Sequence, residues 1–237
     1  MNTFRSRRQV AAPFGAVIFD FFGTLTTAVR RGPAHTAIAT ALGCDPGRFN
    51  AALDRTFPAR ASGACGSPVD TLRGIAAEQG VVPHVGLLVL AVAARIKAVE
   101  QDVTLRRDAV AVLTAVRRLR LRTAVVSDCW YELPALLPRL AVAPLLDVSV
   151  FSLDVGARKP SPVIFTTACD RLGVPPRRCL YIGDGGGREL TGARSVGMTA
   201  VRLAAADLAT HLTFDPEIGW DGLTVDDLTG LLPLLAR

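Results

Sequence analysis

Four residues of this 237-residue chain combine the right types for group-transfer chemistry: Asp20, Ser127, Lys159 and Asp184. Three of them lie at or just beyond the end of a short apolar run, and a fourth run leads towards Lys159. Ala16-Val17-Ile18-Phe19 leads into Asp20, and Thr123-Ala124-Val125-Val126 leads into Ser127-Asp128. The run Asp147 to Phe151 heads towards Arg158-Lys159, and Cys179-Leu180-Tyr181-Ile182 ends at Gly183-Asp184. A carboxylate can attack an electrophilic centre and carry the transferred group as a covalent ester or acyl phosphate, which divides one hard displacement into two easier ones. A lysine ammonium and a hydroxyl can hold a phosphoryl group and offset its charge. Two carboxylates from neighbouring strand ends make an oxygen-donor site suited to Mg²⁺, a cation that takes few protein ligands. His35, His84 and His211 are too far apart to suggest a softer metal, and each reads as structural or solvated.

These residues need elements that bring them together. Continuous apolar runs bounded by turn signals suit strands buried on both faces. From residue 104 onwards such runs alternate with helical stretches, at about 105–120, between Pro134 and Pro138, from the Ser161 N-cap and Pro162 to Leu172, and up to Gly197; Thr199 to Leu203 is a further strand. Strand–helix alternation predicts an α/β fold, a doubly wound parallel sheet, whose ligands bind outside the carboxyl ends of the strands. Between residues 28 and 100 no strand pattern occurs. Ala-rich stretches at 34–42, 48–57, 69–79 and 85–99 read as four helices. The expected organisation is a basic tail at 1–12, a core of 13–27 plus 101–237, and a helical cap at 28–100 inserted after the first strand. Gly185-Gly186-Gly187 reads as a tight turn, since no dinucleotide-binding GxGxxG accompanies it.

Composition narrows the function classes. Half of the residues are apolar and a fifth charged, which excludes a disordered chain. The longest uncharged apolar stretch, Val81 to Ala94, is interrupted by Pro83 and His84 and falls short of the ~20 residues of a membrane span. The net charge is +6, yet all but Lys97 and Lys159 of the 27 basic residues are Arg, scattered in pairs without interleaved aromatics. That argues for solvated helix faces and against a nucleic-acid partner. Five dispersed cysteines, Cys44, Cys65, Cys129, Cys169 and Cys179, form neither a disulfide framework nor a zinc motif. The expectation is a cytoplasmic protein, a monomer or homodimer, that acts on a small phosphorylated or carboxylated substrate away from membranes.

In order, four segments resemble the motifs of the haloacid dehalogenase (HAD) superfamily. Phe19-Asp20-Phe21-Phe22-Gly23-Thr24-Leu25 is similar to its nucleophile motif and Val125-Val126-Ser127-Asp128 to its second. Phe151 to Pro162, with Arg158-Lys159-Pro160, resembles the third, and Tyr181-Ile182-Gly183-Asp184 followed by Glu189 the fourth. The resemblance implies a HAD-like, Rossmannoid core with a C1 cap. It makes Asp20 the nucleophile and Ser127 and Lys159 its catalytic partners. Thr24, Ser127, Asp128 and Lys159 would surround the transferred group, with Thr24 holding the first-motif loop. Asp20, the Phe22 backbone carbonyl, Asp184 and Glu189 would bind Mg²⁺.

Phe22 departs from the phosphatases of that superfamily, which place a second Asp there as acid and base, a contribution of typically ~10²–10⁴-fold. An aromatic residue at this position resembles the 2-haloacid dehalogenases, whose halide leaving group needs no proton. The Gly-Asp of the fourth motif resembles the metal-dependent phosphatases instead. The leading expectation is a Mg²⁺-dependent phosphatase of small phosphate esters acting through an aspartyl-phosphate at Asp20. The alternatives are a metal-independent 2-haloacid dehalogenase and a catalytically weak binding protein on the same fold. Asp128 and Glu132 are candidate replacements for the lost acid/base; their ordinary readings are a helix cap for Asp128 and a solvent-facing side chain for Glu132. In the cap, Arg30, Arg31, His35, Arg48 and Arg55 are the polar candidates for substrate contacts, and hinges are expected near residues 26–29 and 100–104.

Overall fold

The computed structural model describes residues 14–235; the basic tail expected at 1–12 lies outside the described residues. The main elements are β1 (Ala16–Phe19), α1 (Pro33–Ala41), α2 (Pro46–Ala61), α3 (Pro68–Ala77), α4 (Val85–Asp102), α5 (Ala109–Arg118), β2 (Arg122–Ser127), α6 (Glu132–Leu136) and β3 (Val148–Phe151). They continue with α7 (Ser152–Val155), α8 (Pro162–Leu172), β4 (Cys179–Gly183), α9 (Glu189–Ser195), β5 (Thr199–Leu203), β6 (Leu223–Val225) and α10 (Leu232–Leu235). The six strands form one parallel sheet in the order β3-β2-β1-β4-β5-β6. The doubly wound α/β sheet expected from strand–helix alternation is therefore the fold.

The apolar runs form central strands because both of their faces are covered. Val17, Phe19, Val125, Leu180, Ile182 and Val201 pack into one buried cluster with α5 and the C-terminal leucines. Their neighbours Ala16, Ile18, Ala124, Val126, Tyr181 and Ala200 pack into a second, with Ile164, Phe165 and Ala168 of α8 on the opposite face. This period-two alternation between two apolar environments leaves no polar face, so register is strongly specified. The four helices of the insert surround a third cluster of Ile38, Phe49, Leu53, Leu72, Ile75 and Leu88, which also takes in Trp130 from the segment after β2. The α4 helix carries most of the uncharged run at 81–94; no described helix is long and apolar enough to cross a membrane.

The sheet extends further than the sequence pattern predicted. β6 is three residues long, with exposed Leu223 at its start, and lies at the sheet edge; so short a segment leaves no periodic signal.

Strand order matters for the site. β1 lies between β2 and β4, whose connections leave on opposite sides, so a crevice opens at their carboxyl ends. Phe19 pairs with Val125 on one side and Ile182 on the other. Counting on from that register brings Asp20, Ser127 and Asp184 to one edge of the sheet.

Candidate active site

Asp20 leaves β1 in extended conformation, with its N–H donating to the Ile182 carbonyl at 2.9 Å. The chain then turns tightly over Phe21–Leu25. Gly23 has φ +80°, a region that L side chains disfavour, and a Cβ there would lie 2.8 Å from His211 Nε2 and 2.9 Å from Asp184 Oδ2. Glycine is needed for both conformation and space. The turn is tied by Thr26, whose Oγ1 accepts from the Gly23 N–H at 3.0 Å. Arg106 reinforces it from outside, donating to the carbonyls of Thr24 (3.1 Å) and Gly23 (2.9 Å) while paired with Asp207 at 2.9 Å. The loop-holding role expected of Thr24 thus belongs to Thr26 and Arg106. Thr24 Oγ1 and Ser127 Oγ are instead buried, with no hydrogen-bond partner among the described residues.

Lys159 is buried, and its ammonium is 2.7 Å from Asp20 Oδ1 and in contact with Glu189 Oε2. Burial alone would lower its pKa, but the carboxylates of Asp20 and Glu189 outweigh that and hold it above the ordinary lysine value. It is a fixed positive charge at neutral pH. Glu189, the first residue of α9, is wholly buried with both oxygens engaged. Oε1 accepts from the Gly185 N–H (2.9 Å), and Oε2 accepts from Tyr181 Oη (2.7 Å) and from Lys159. This donor set makes Glu189 the support of the lysine. Tyr181, within the apolar run that marks β4, carries a polar tip into the site beside Glu189.

Asp128 does not cap a helix. Its Oδ1 accepts from the Lys159 N–H at 2.9 Å and its Oδ2 lies 3.4 Å from Arg158 Nε, so it fixes the loop that presents the lysine. Burial raises its pKa, opposed chiefly by the Lys159 charge. Glu132 does not face solvent: it is buried and paired with Arg95 of α4 at 2.6 Å, which commits it to joining the helical insert to α6.

Asp184 accepts from the Gly186 N–H at 3.0 Å, and Gly185 and Gly187, at φ +102° and +63°, form the expected tight turn. Its Oδ2 lies 3.6 Å from His211 Nε2. His211 Nδ1 accepts from the Val29 N–H at 2.9 Å, so in the neutral ring the proton resides on Nε2, towards Asp184. This places His211 in the site, contrary to its expected structural or solvated role; it comes from the loop after β5, which has no motif to mark it. The other histidines are structural: His84 caps α4, and buried His35 pairs with Asp102 at 2.8 Å.

One oxygen from each of Asp20, Asp184 and Glu189 falls within a mutual distance of 4.8 Å. Burial and the Asp20 charge push the Asp184 carboxyl above the ordinary carboxylate range. Three carboxylates face one lysine, a local excess of negative charge that a hard divalent cation would offset. Asp20 and Asp184, with the hard-oxygen chemistry of their carboxylates, fit Mg²⁺; the saturated Glu189 fits it less well.

Above these residues is a cavity of about 170 Å³. Its lining combines Asp20, Phe22, Asp128, Lys159, Asp184 and His211 with Arg31, His35, Phe57, Arg60, Arg95 and Asp102 from the segment between β1 and β2. Of the polar candidates expected there, Arg31 and His35 line the cavity, whereas Arg55 pairs with exposed Glu78. Arg60 and Arg95, absent from the sequence-based candidates, line it too. Phe57 stacks on Phe214 at 4.3 Å between ring centres, closing one side.

A family model described as haloacid dehalogenase-like hydrolase matches residues 14–197. A glyceraldehyde 3-phosphate phosphatase of Methanopyrus kandleri is 38% identical over 65 residues, covering 27% of this chain and 28% of that one. The chain spans about a quarter to a half of the length of the curated relatives it matches, from 28% to 46%. Among solved structures, the L-2-haloacid dehalogenase of Xanthobacter autotrophicus superposes with TM-score 0.64 at 20% identity, covering 94% of this chain and 98% of that one. A HAD family enzyme of Bacteroides thetaiotaomicron, in complex with magnesium and inorganic phosphate, superposes with TM-score 0.62 at 16% identity, covering 81% and 96%. At such identities the structures share the fold. The match of the family model across most of the sequence, with the strand-end residues gathered at one crevice, makes this chain a member of the haloacid dehalogenase-like hydrolase family.

Proposed function

We propose that the chain is a Mg²⁺-dependent phosphatase of small phosphate esters. The observation that carries this reading is the pairing of Asp184 with Asp20 in a buried site whose negative charge exceeds the one lysine present. In a metal-free site, Asp184 would repel the attacking carboxylate; as a cation ligand it has a purpose. Asp20, Asp184 and the Phe22 backbone carbonyl would hold Mg²⁺, which when bound would offset charge on the phosphoryl oxygens.

The chain's own residues carry the steps. Asp20 attacks phosphorus, the bond to the ester oxygen breaks, and the alcohol departs as its oxyanion and takes its proton from water. Ser127, which the strand register brings to the same sheet edge as Asp20, would turn its hydroxyl, unpartnered among the described residues, to the phosphoryl group. Lys159 stays charged throughout, held by Glu189, Tyr181 and the Asp128-anchored loop. Water then hydrolyses the aspartyl-phosphate, returning the Asp20 carboxylate and inorganic phosphate. Phe22 offers no proton to the leaving oxygen, so esters of acidic alcohols react fastest.

Phe22 also favours a second reading, metal-independent hydrolysis of 2-haloacids. There Asp20 attacks carbon, halide leaves unprotonated, and water cleaves the resulting ester. The experiment is hydrolysis of p-nitrophenyl phosphate with Mg²⁺ or with chelator, using Asp20→Asn as control. Metal-dependent turnover lost in that variant supports the phosphatase; halide release from 2-chloropropionate in chelator, without phosphate release, replaces it by the dehalogenase.

A further inference from the structure

Among the described residues, five Lys or Arg side chains line the cavity, and four have carboxylate partners: Arg31 with Asp54, Arg95 with Glu132, Arg158 with Asp128 and Asp215, and Lys159 with Asp20 and Glu189. Among the described residues, Arg60 has no carboxylate within 4.0 Å although it is only 4% exposed. Leaving a charged group buried and unpaired is costly, so such a group commonly marks a place where a counter-ion arrives.

The surroundings hold the Arg60 guanidinium in place without a carboxylate in contact: Glu132, paired with Arg95, acts on it only at longer range. It sits in the last turn of α2, with Nε donating to Thr56 Oγ1 at 3.2 Å and Nη2 to the Leu53 carbonyl at 2.7 Å. Its Cζ lies 4.6 Å from the centre of the Trp130 ring and 5.7 Å from that of Phe57. Two uncharged acceptors and two aromatic faces restrict its rotamers before any ligand binds. Nη1 has no hydrogen-bond partner among the described residues, and the residue belongs to the wall of the cavity that holds Asp20 and Lys159. Burial, with Arg95 adding repulsion and Glu132 partly opposing both, lowers its pKa to about 10, which leaves it charged at neutral pH.

We propose that Arg60 is a specificity-determining residue that binds an anionic group, a carboxylate, on the part of the substrate that departs from phosphorus. The inference rests on the reading of Asp20 and Lys159 as the reacting end. The cavity of about 170 Å³ is lined by Arg60 as well as by Asp20 and Lys159, so one small substrate could meet both ends. The substrate class is then a short phosphorylated carboxylic acid, anionic at both ends: phosphate at Asp20 and Lys159, carboxylate at Arg60. Guanidinium suits the distal end because its planar donor fork matches a carboxylate.

The test is calorimetric binding of two non-hydrolysable probes in the presence of Mg²⁺. Phosphonoacetate carries the carboxylate, and ethylphosphonate replaces it by a methyl group. The wild-type chain is expected to bind phosphonoacetate about 10–100-fold more tightly, the range of a hydrogen bond to a charged group. Arg60→Met, with its circular dichroism unchanged, should bring the two probes within about 3-fold of each other on the same grounds. Arg60→Lys, which keeps charge but not the fork, should fall between. Equal binding by the wild type, no binding of either probe, or a preference that survives Arg60→Met overturns the proposal. Mg²⁺-dependent p-nitrophenyl phosphate turnover judges the phosphatase reading separately: turnover without carboxylate preference removes only the Arg60 assignment, and an Arg60-dependent preference without turnover removes only the phosphatase.

Discussion

The ion pair between Arg95 of α4 and Glu132 of α6 allows the join between the helical insert and the sheet to be tested quantitatively. Arg95 Nη2 and Nε lie 2.6 Å and 2.8 Å from Glu132 Oε1, and both side chains are less than one-tenth exposed. Burial disfavours the charged guanidinium, and the Glu132 carboxylate more than offsets that. Arg95→Met leaves Glu132 buried without its counter-ion, and Glu132→Leu does the same to Arg95; each is expected to destabilise the fold by about 3–5 kcal/mol. The double variant removes both charges and is expected to be near neutral, or more stable by up to about 4 kcal/mol. The coupling, taken as the double-variant change minus the sum of the singles, is then several kcal/mol in favour of the pair. With a urea dependence of about 3 kcal/mol per molar, each single variant lowers the unfolding midpoint by roughly 1–2 M, while the double does not. Trp130 provides the signal, since the Arg95 guanidinium lies 5.6 Å from its ring centre. Single variants that lose less than about 1 kcal/mol, the value of an exposed pair, or a double variant as unstable as the sum of the singles, would refute the argument.

Three further outcomes are expected. Phe22→Asp restores a carboxyl beside Asp20 and should raise turnover of alkyl phosphates by up to ~10²-fold or more, with a smaller gain for aryl phosphates; kcat for ethyl phosphate against p-nitrophenyl phosphate measures this. Gly23→Ala combines left-handed backbone strain of roughly 1–2 kcal/mol with contacts on His211 and Asp184 under 3 Å, so both the melting temperature and Mg²⁺ affinity should fall. His35 has its pKa lowered by burial and by Arg95, against the opposing pull of Asp102. The unfolded chain therefore takes up a proton near pH 6.5 that the native state does not. Stability rises with pH through this window and is lost as pH falls below about 6.5, by at most about 1.4 kcal/mol per pH unit. Urea titrations of the wild type and His35→Asn at pH 7.5, 6.5 and 5.5 should show this dependence in the first and not in the second.

Much of the fold was legible because the central strands announce themselves. Ala16 to Phe19 and Cys179 to Ile182 are apolar on both faces, and such runs have few alternatives to a buried parallel sheet. The ends of these runs mark Asp20 and Asp184 directly, whereas Lys159 reaches Asp20 through the loop that Asp128 holds. The rest depended on partners that periodicity does not encode. Thr24 and Thr26 are both small polar residues in one loop, and only the turn geometry decides which of them accepts the Gly23 N–H. Glu132 resembles any exposed helix-start carboxylate until the mid-helix Arg95 arrives from another element. His211 follows a short turn after β5 in a segment with no motif, and it enters the site through the backbone of Val29. Arg60 was hidden by abundance: in a chain whose cations are almost all Arg, a guanidinium without a carboxylate is visible only once every other partner has been found.

The account turns on what bond Asp20 forms. The most direct measurement is acid quench of the chain during turnover of p-nitrophenyl phosphate with Mg²⁺, followed by peptide mass mapping. The account predicts an acid-stable, base-labile phosphoryl group on the peptide containing Asp20, absent from Asp20→Asn and from chelator-treated samples. Phosphate release with no modified peptide, or an Asp20 ester formed from 2-chloropropionate in chelator while the phosphate ester is left intact, would contradict it.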